Sequence, residues 1–281
     1  MNYRHAYHAG NFADLVKHAV LLALLAGKAR DARPLTVVDT HGGAGLYDLS
    51  DASQARSREA EAGVKRLMPD AAPAPFEALA AAVRRLNGDG PMRLYPGSPW
   101  LVLDALRPGD RYVACELRAD DHGQLETTLK RFGAPKGVKA EARRADGYAT
   151  ARALAREAGR LLVLIDPPFE RADDYQQAAD TALAVLKAGN PPPTVAVWTP
   201  LKDLETFDGF LRRLQEGGAG DALVAEARLR PLRDPMKMNG CAMVVLNPPA
   251  ALRDAAQAIC AEVVRSLGDP GGSAKVWRLG D

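Results

Sequence analysis

The run Leu164-Ile165-Asp166-Pro167-Pro168-Phe169 places a carboxylate, two prolines and an aromatic ring at the end of an apolar segment. Successive prolines fix the backbone and remove two N–H donors, so carbonyl oxygens project there as acceptors. Such a set suits a flat base with an exocyclic amine, whose hydrogens the acceptors hold while the ring stacks on its face. The lone pair of that amine is delocalised into the base and is a poor nucleophile. Hydrogen bonds to Asp166 and the Pro167 carbonyl favour a pyramidal nitrogen whose lone pair meets an incoming methyl group, chemistry made of positioning and polarisation. Asn247-Pro248-Pro249 resembles this run but has Ala250 in place of the aromatic and follows the last apolar segment, so it reads as a chain exit.

Three other strand ends carry candidate groups. Glu116 can accept both hydroxyls of a ribose, or simply form a salt-bridged strand end with Arg118. Asp146-Gly147 can present a carboxylate to an adenine amino group, although Asp-Gly alone is more often a turn. Asp39-Thr40-His41-Gly42-Gly43-Ala44-Gly45 lets the backbone approach a ligand, but Asp48 stands where a nicotinamide fingerprint needs its third glycine. The next strand-ending acid, Glu116, lies 77 positions beyond Asp39 rather than about 20. Four of the five histidines fall in the first 41 residues. No carboxylate or thiol completes a ligand spacing with them, so no metal is expected. His18 and His41 are placed to hydrogen-bond a cofactor near the first strand. Tyr3, Arg4, His5 and Lys17 form a basic, aromatic N-terminal arm of the kind that stacks on bases and meets phosphate, though a solvated terminus is the commoner reading.

The elements that must position these groups alternate. Apolar, β-branched runs at 35–39, 112–116, 138–142, 161–166, 194–198, 222–229 and 241–246 read as seven strands. Helical patterns at 124–132, 148–157, 175–187 and 204–215 separate most of them. That alternation predicts an α/β fold of Rossmann type, a mostly parallel sheet covered on both faces, with the last two strands antiparallel at its edge. Asn11 caps a predicted helix over 12–29. Residues 50–95 carry no strand-like run but two helical ones, 54–68 and 75–87, and read as a small inserted helical subdomain. The remainder, 1–49 and 96–281, is the main domain, with 1–30 its N-terminal arm and helix.

The 281-residue chain is 47% hydrophobic, which excludes disorder, and no apolar run reaches the ~20 residues of a membrane helix. Acidic and polar residues precede the apolar stretch 19–26, unlike a secretory signal, so the protein is expected in the cytoplasm. Three cysteines do not make a disulfide framework. With 37 basic and 35 acidic side chains the net charge is +2. An RNA-binding role requires that positive charge be concentrated, with Arg4 and Lys17, Arg84, Arg85 and Arg93, Arg143 and Arg144, and 228–237 as the candidates. Salt-sensitive RNA binding of modest slope is then expected.

With these residues assembled, the chain resembles the bacterial 23S ribosomal RNA adenine-N6 methyltransferases that act at adenine 2030. The resemblance rests on the opening segment from Tyr3 to His18, then Asp39 to Gly45, Tyr95-Pro96-Gly97-Ser98-Pro99, Glu116, Ala145-Asp146-Gly147, Asp166 to Phe169 and Asn247-Pro248-Pro249. It covers essentially the whole chain. Phe169 replaces a tyrosine expected there, keeping the stacking face, and Gly42 replaces an alanine. The resemblance implies a Rossmann-like class I methyltransferase using S-adenosyl-L-methionine. It implies a cofactor site of His18, His41, Ser98, Glu116, Asp146, Gly147 and Asp166, with Asp166 also catalytic and Tyr3 touching RNA. Asp166, Pro167 and Phe169 are then the catalytic set, and a 23S rRNA loop, naked or partly assembled, the substrate of a monomeric enzyme. The rival readings are a DNA adenine-N6 methyltransferase, a nicotinamide-dependent oxidoreductase and a nucleic-acid-binding protein with a dead site.

Overall fold

A computed structural model describes residues 8–50, 58–68, 71–232 and 238–280. Among these residues there are ten strands: β1 (Leu35–Asp39), β2 (Leu46–Asp48), β3 (Leu94–Pro96), β4 (Arg111–Cys115), β5 (Lys139–Arg143), β6 (Arg160–Ile165), β7 (Thr194–Leu201), β8 (Ala222–Arg228), β9 (Gly240–Leu246) and β10 (Ser273–Arg278). The helices are α1 (Phe12–Ala29), α2 (Glu59–Ala62), α3 (Val64–Leu67), α4 (Glu77–Asn87), α5 (Ser98–Ala105), α6 (Ala119–Phe132), α7 (Gly147–Ala155), α8 (Asp174–Ala188), α9 (Leu204–Glu216) and α10 (Leu252–Leu267). Eight strands form one sheet in the order β10-β8-β9-β7-β6-β1-β4-β5, and β2 pairs with β3 in a separate ribbon.

The five strands β5, β4, β1, β6 and β7 run parallel, β9 runs against β7 and β8, and β10 runs against β8. The seven expected strands are therefore all present, but the main sheet has eight and β8 is not its edge. Strand β10 escapes a search for apolar runs because its residues Ser273, Lys275 and Arg278 leave only Val276 buried. Polar and charged side chains are what an exposed edge strand carries to resist further pairing. Strands β2 and β3, three residues each, are too short to show a periodicity.

Side chains alternate across the sheet. Leu162 and Leu164 of β6 join the core shared with α1, α5 and α10, whereas Leu161, Val163 and Ile165 join that of α7, α8 and α9. Burial on both faces is why the parallel strands read as unbroken apolar runs. Helix α1 begins where the Asn11 side chain accepts from the Asp14 backbone N–H at 2.9 Å, as the sequence predicts.

In the inserted segment the helix expected over 54–68 breaks at Gly63 into α2 and α3. The Val64 N–H donates to the Gly10 carbonyl at 2.8 Å, and a Cβ on Gly63 would lie 2.1 Å from that oxygen. The insert is thus pressed onto the residues before α1. Its Val64, Leu67, Phe76, Leu79 and Val83 are buried in the same core as α1 and α10. Among the described residues no helix is long and apolar enough to cross a membrane, and no group of three His, Cys, Asp or Glu could hold a metal ion.

Candidate active site

All five parallel strands point their carboxyl ends at one edge, and the chain leaves that edge in opposite directions on either side of β1. Open α/β sheets bind ligands in the crevice formed there. Asp39 ends β1, Glu116 follows β4, Asp146 precedes α7 and Asp166 follows β6. Asn247 lies at the opposite edge, because Leu246 of the reversed β9 is in register with Val195 and Ala222, near the starts of β7 and β8. The second proline pair is a chain exit.

The loop after β1 is stitched to both neighbours, with the Thr40 N–H donating to the Leu164 carbonyl at 3.0 Å and the Gly42 N–H to that of Cys115 at 2.8 Å. Gly147 packs beneath it, and a Cβ there would lie 2.0 Å from the Thr40 carbonyl oxygen. The glycine is needed for this approach. The Glu116 carboxylate accepts from the Gly43 N–H at 3.1 Å and the Arg118 N–H at 2.8 Å. A carboxylate offers about four acceptor sites, so two remain for other donors. Asp146 caps α7, accepting from the Ala149 N–H at 3.0 Å. His41 Nδ1 lies 2.7 Å from Thr40 Oγ1, and its ring meets Tyr148 edge-on at 5.0 Å.

These groups line a cavity of about 290 Å³ bounded by Thr40, His41, Glu116, Asp146, Gly147, Tyr148 and Pro168. The Tyr148 hydroxyl is buried there without a hydrogen-bond partner among the described residues. A larger cleft of about 950 Å³ lies beyond Pro168, with Phe169, Trp198, Lys202, Arg66 and Arg230 in its walls. Pro168, Glu170 and Arg171 belong to both linings. The loop that follows Asp166 is therefore the partition between two compartments. Phe169 holds φ at 50°, costly for a bulky side chain and a mark of functional sites when it occurs. Its ring is only 4% exposed, tilted against Tyr175 at 4.5 Å and Trp198 at 5.9 Å.

At the floor a compact charged cluster joins α1 to the sheet. Lys17 Nζ donates to Asp166 Oδ2 at 2.6 Å and stands 2.7 Å from Asp14 Oδ1. Burial alone would lower the Lys17 ammonium, but the two carboxylates outweigh it and hold it well above the usual lysine range. The expectation that Lys17 meets RNA phosphate changes accordingly: the side chain is buried and its charge is spent on Asp14 and Asp166. Tyr3, Arg4 and His5 lie outside the described residues. His18 is buried, with Nδ1 2.9 Å from the Tyr95 hydroxyl. Ser98, at the start of α5, donates to Asp39 Oδ2 at 2.6 Å, and the Tyr112 hydroxyl donates to the same oxygen at 3.2 Å.

Asp39, Tyr95, Tyr148 and Asp14 carry no role in the sequence-based expectations above. Asp39 had a visible signal, since it ends the first strand like the acids that were singled out. Burial pushes its carboxyl up to about 6, with a further push from Asp166 and an opposing hydrogen bond from Ser98. A carboxyl raised in this way adds stability that is full below its unfolded value near ~3.9 and is lost as pH rises through about 6. The unfolding free energy of Asp39→Asn, which does not titrate, should gain on that of the wild type by about 2–3 kcal/mol between pH 4 and 7. Denaturant titrations across that window measure the gap, and a gap that stays constant refutes the buried-acid account.

The basic groups proposed for RNA also need revision. Arg84 pairs with Glu77, Arg85 with Asp104, Arg93 with Asp48 and Arg143 with Glu141. These acids lie outside the 290 Å³ cavity, so much of the surface positive charge is locally neutralised.

Residues 32–279 match the family model described as "Ribosomal RNA large subunit methyltransferase D, RlmJ". The chain is 32% identical over 251 residues to the Ribosomal RNA large subunit methyltransferase J of Escherichia coli K12, covering 89% of this chain and 88% of that one. It is 30% identical to the protein of the same name from Haemophilus influenzae, covering 95% and 94%. A crystal structure of a Legionella pneumophila protein superposes with a TM-score of 0.85 at 26% identity, covering 98% of this chain and 99% of that one.

Proposed function

The chain belongs to the RlmJ family of ribosomal RNA large subunit methyltransferases, and from that premise we propose that it methylates the N6 amine of an adenine in 23S rRNA, the adenine-2030 position. One observation carries the reading: the Asp166 loop separates a small nucleoside-sized cavity from a larger cleft. A transferase needs this arrangement, because donor and acceptor must meet at one wall while entering from two sides.

The smaller cavity fits S-adenosyl-L-methionine by its donor set. Two acceptor sites of Glu116 suit the ribose hydroxyls, and the Tyr148 hydroxyl is a donor with no partner among the described residues. His41 and Asp146 belong to the same lining, whereas His18, Ser98 and Asp166 lie in a small adjoining pocket with Asp14 and Lys17, which shares His41 with the cavity. S-adenosyl-L-methionine bound there supplies an electrophilic methyl group. The rest of the chemistry falls to the chain itself. Lys17 occupies Asp166 Oδ2 and fixes the carboxylate, leaving Oδ1 to accept one hydrogen of the adenine amine. The Pro167 carbonyl accepts the other. Both contacts keep the nitrogen lone pair free to attack. Phe169, 4% exposed and packed against Tyr175 and Trp198, backs the cleft wall against which the base lies. The carboxylate of Asp166 is 3% exposed, and an amine held in a base pair cannot reach it, which favours an unpaired adenine. We infer a cytoplasmic reaction on naked or partly assembled rRNA, in which such an adenine is accessible.

Incubation of the protein and labelled cofactor with 23S rRNA lacking this modification tests the reading. Label should appear as a single N6-methyladenine in rRNA and be far weaker in duplex DNA. Preferential methylation of DNA, or none of either, overturns it.

A further inference from the structure

Four cationic side chains line the larger cleft: Arg66, Arg171, Lys202 and Arg230. Two are committed, Arg171 to Asp173 and Arg230 to Asp269. Arg66, on α3, has no hydrogen-bond or ion-pair partner among the described residues. Lys202, at the carboxyl end of β7, contacts no carboxylate there. Its Nζ donates one hydrogen bond, to the carbonyl of Phe169 at 3.0 Å. The other acids of the lining are Glu59, which holds His8 and Asn11, and Glu170. Arg84, Arg85, Arg93 and Arg143 each hold an acid, whereas Arg66 and Lys202 face the cleft with no carboxylate partner among the described residues.

Resting on the rRNA methyltransferase reading, we propose that Arg66 and Lys202 are a two-point phosphate clamp, gripping the RNA backbone beside the target adenosine. Ammonium and guanidinium groups carry three and five donors. Lys202 spends one on the protein and Arg66 none, which leaves donors for phosphodiester oxygens. The two residues come from different parts of the fold, the insert and the sheet edge, so an RNA strand in the cleft lies between them. The insert is then one jaw of the substrate site, and its contact through Gly10 and Val64 sets where that jaw stands.

Lys202 has a second consequence. Its bond to the Phe169 carbonyl fastens the strained residue that closes the base wall. A phosphate on Lys202 is therefore linked by one side chain to the placement of the Phe169 ring. Lys202 is a positioning residue as well as an RNA contact, and Arg66 is an RNA contact alone.

The test measures binding of an unmodified 23S rRNA hairpin to the full-length protein as a function of salt, together with kcat and KM for methyl transfer. Each lost phosphate contact lowers the slope of log K against log salt by about 0.7 for unpaired RNA. Arg66→Met and Lys202→Met should each lower the wild-type slope by about that amount, and the double variant by about twice that. Arg66→Met should raise KM with kcat retained. Lys202→Met should also lower kcat, and Lys202→Arg should restore the slope. Arg265→Met, a surface change on α10 where Arg265 pairs with Glu262, controls for net charge and should leave slope and rate unchanged. Wild-type slopes in both Met variants overturn the clamp while leaving the methyltransferase reading intact. A wild-type protein that neither binds nor methylates the hairpin overturns both.

Discussion

Asp166→Asn should lower kcat for methyl transfer to rRNA by roughly 10²–10³, the cost of deleting one preorganised charge contact to the reacting group. The substitution is nearly isosteric but removes the negative charge between Lys17 and the amine. It also puts an NH₂ donor where an acceptor is needed, so one orientation of the amide repels the substrate hydrogen. Because the contact is proposed to strengthen as the nitrogen becomes pyramidal, kcat and kcat/KM should fall together rather than KM rising alone. Cofactor affinity by calorimetry separates this from a collapsed cofactor site. A variant that keeps near-wild-type turnover would remove Asp166 from the mechanism.

The largest stability effect is expected at Lys17. Its ammonium lies 2.6 Å from Asp166 and 2.7 Å from Asp14 and is almost wholly buried. Lys17→Met would leave two carboxylates facing one another out of water. Removing one partner from a buried ion pair costs about 3–5 kcal/mol, because the remaining charge is uncompensated. The wild-type ammonium is raised above its ordinary value, so its stabilising contribution is complete below ~10.4 and is lost only as pH rises beyond that. The penalty should therefore be nearly constant from pH 6 to 9. Adding Asp14→Asn should recover part of the stability, since one of the two stranded charges disappears. Methyl transfer should not recover, because Asp166 would still lack its anchor. Denaturant unfolding of the two variants decides the matter, and a cost below about 1 kcal/mol for Lys17→Met would show that the cluster is not a buried ion pair.

The two predictions concern the same three side chains, of which Asp166 and Lys17 are legible in the sequence, each without its partner. Asp166 stood out because a carboxylate, two prolines and an aromatic at a strand end form a local pattern. Lys17 stood out for its charge and was placed on the RNA-facing arm. The error has a plain cause: lysine is usually solvated, and nothing local to residue 17 shows that the helix turns it inward. The i,i+3 neighbour Asp14 was visible, but an exposed pair of that spacing looks identical in sequence. A similar limit applies to the surface arginines. Arg85 and Asp104 come from different helices, and their pairing appears only once α4 packs near α5.

By itself the sequence determined the α/β class, the strand ends that carry chemistry, the capped first helix and the resemblance to rRNA methyltransferases. Each depends on local periodicity, on turn-forming residues or on short motifs, and all of these are written in consecutive residues. Tertiary structure alone decided that Lys17 and Asp166, 149 positions apart, share a hydrogen bond. It decided that Asp39 takes hydrogen bonds from Ser98 and Tyr112, that β10 adds an eighth strand, and that Arg66 and Lys202 line one cleft. The physical reason is that pairing energies depend on burial and distance across the fold, and neither is encoded in the spacing of residues along the chain.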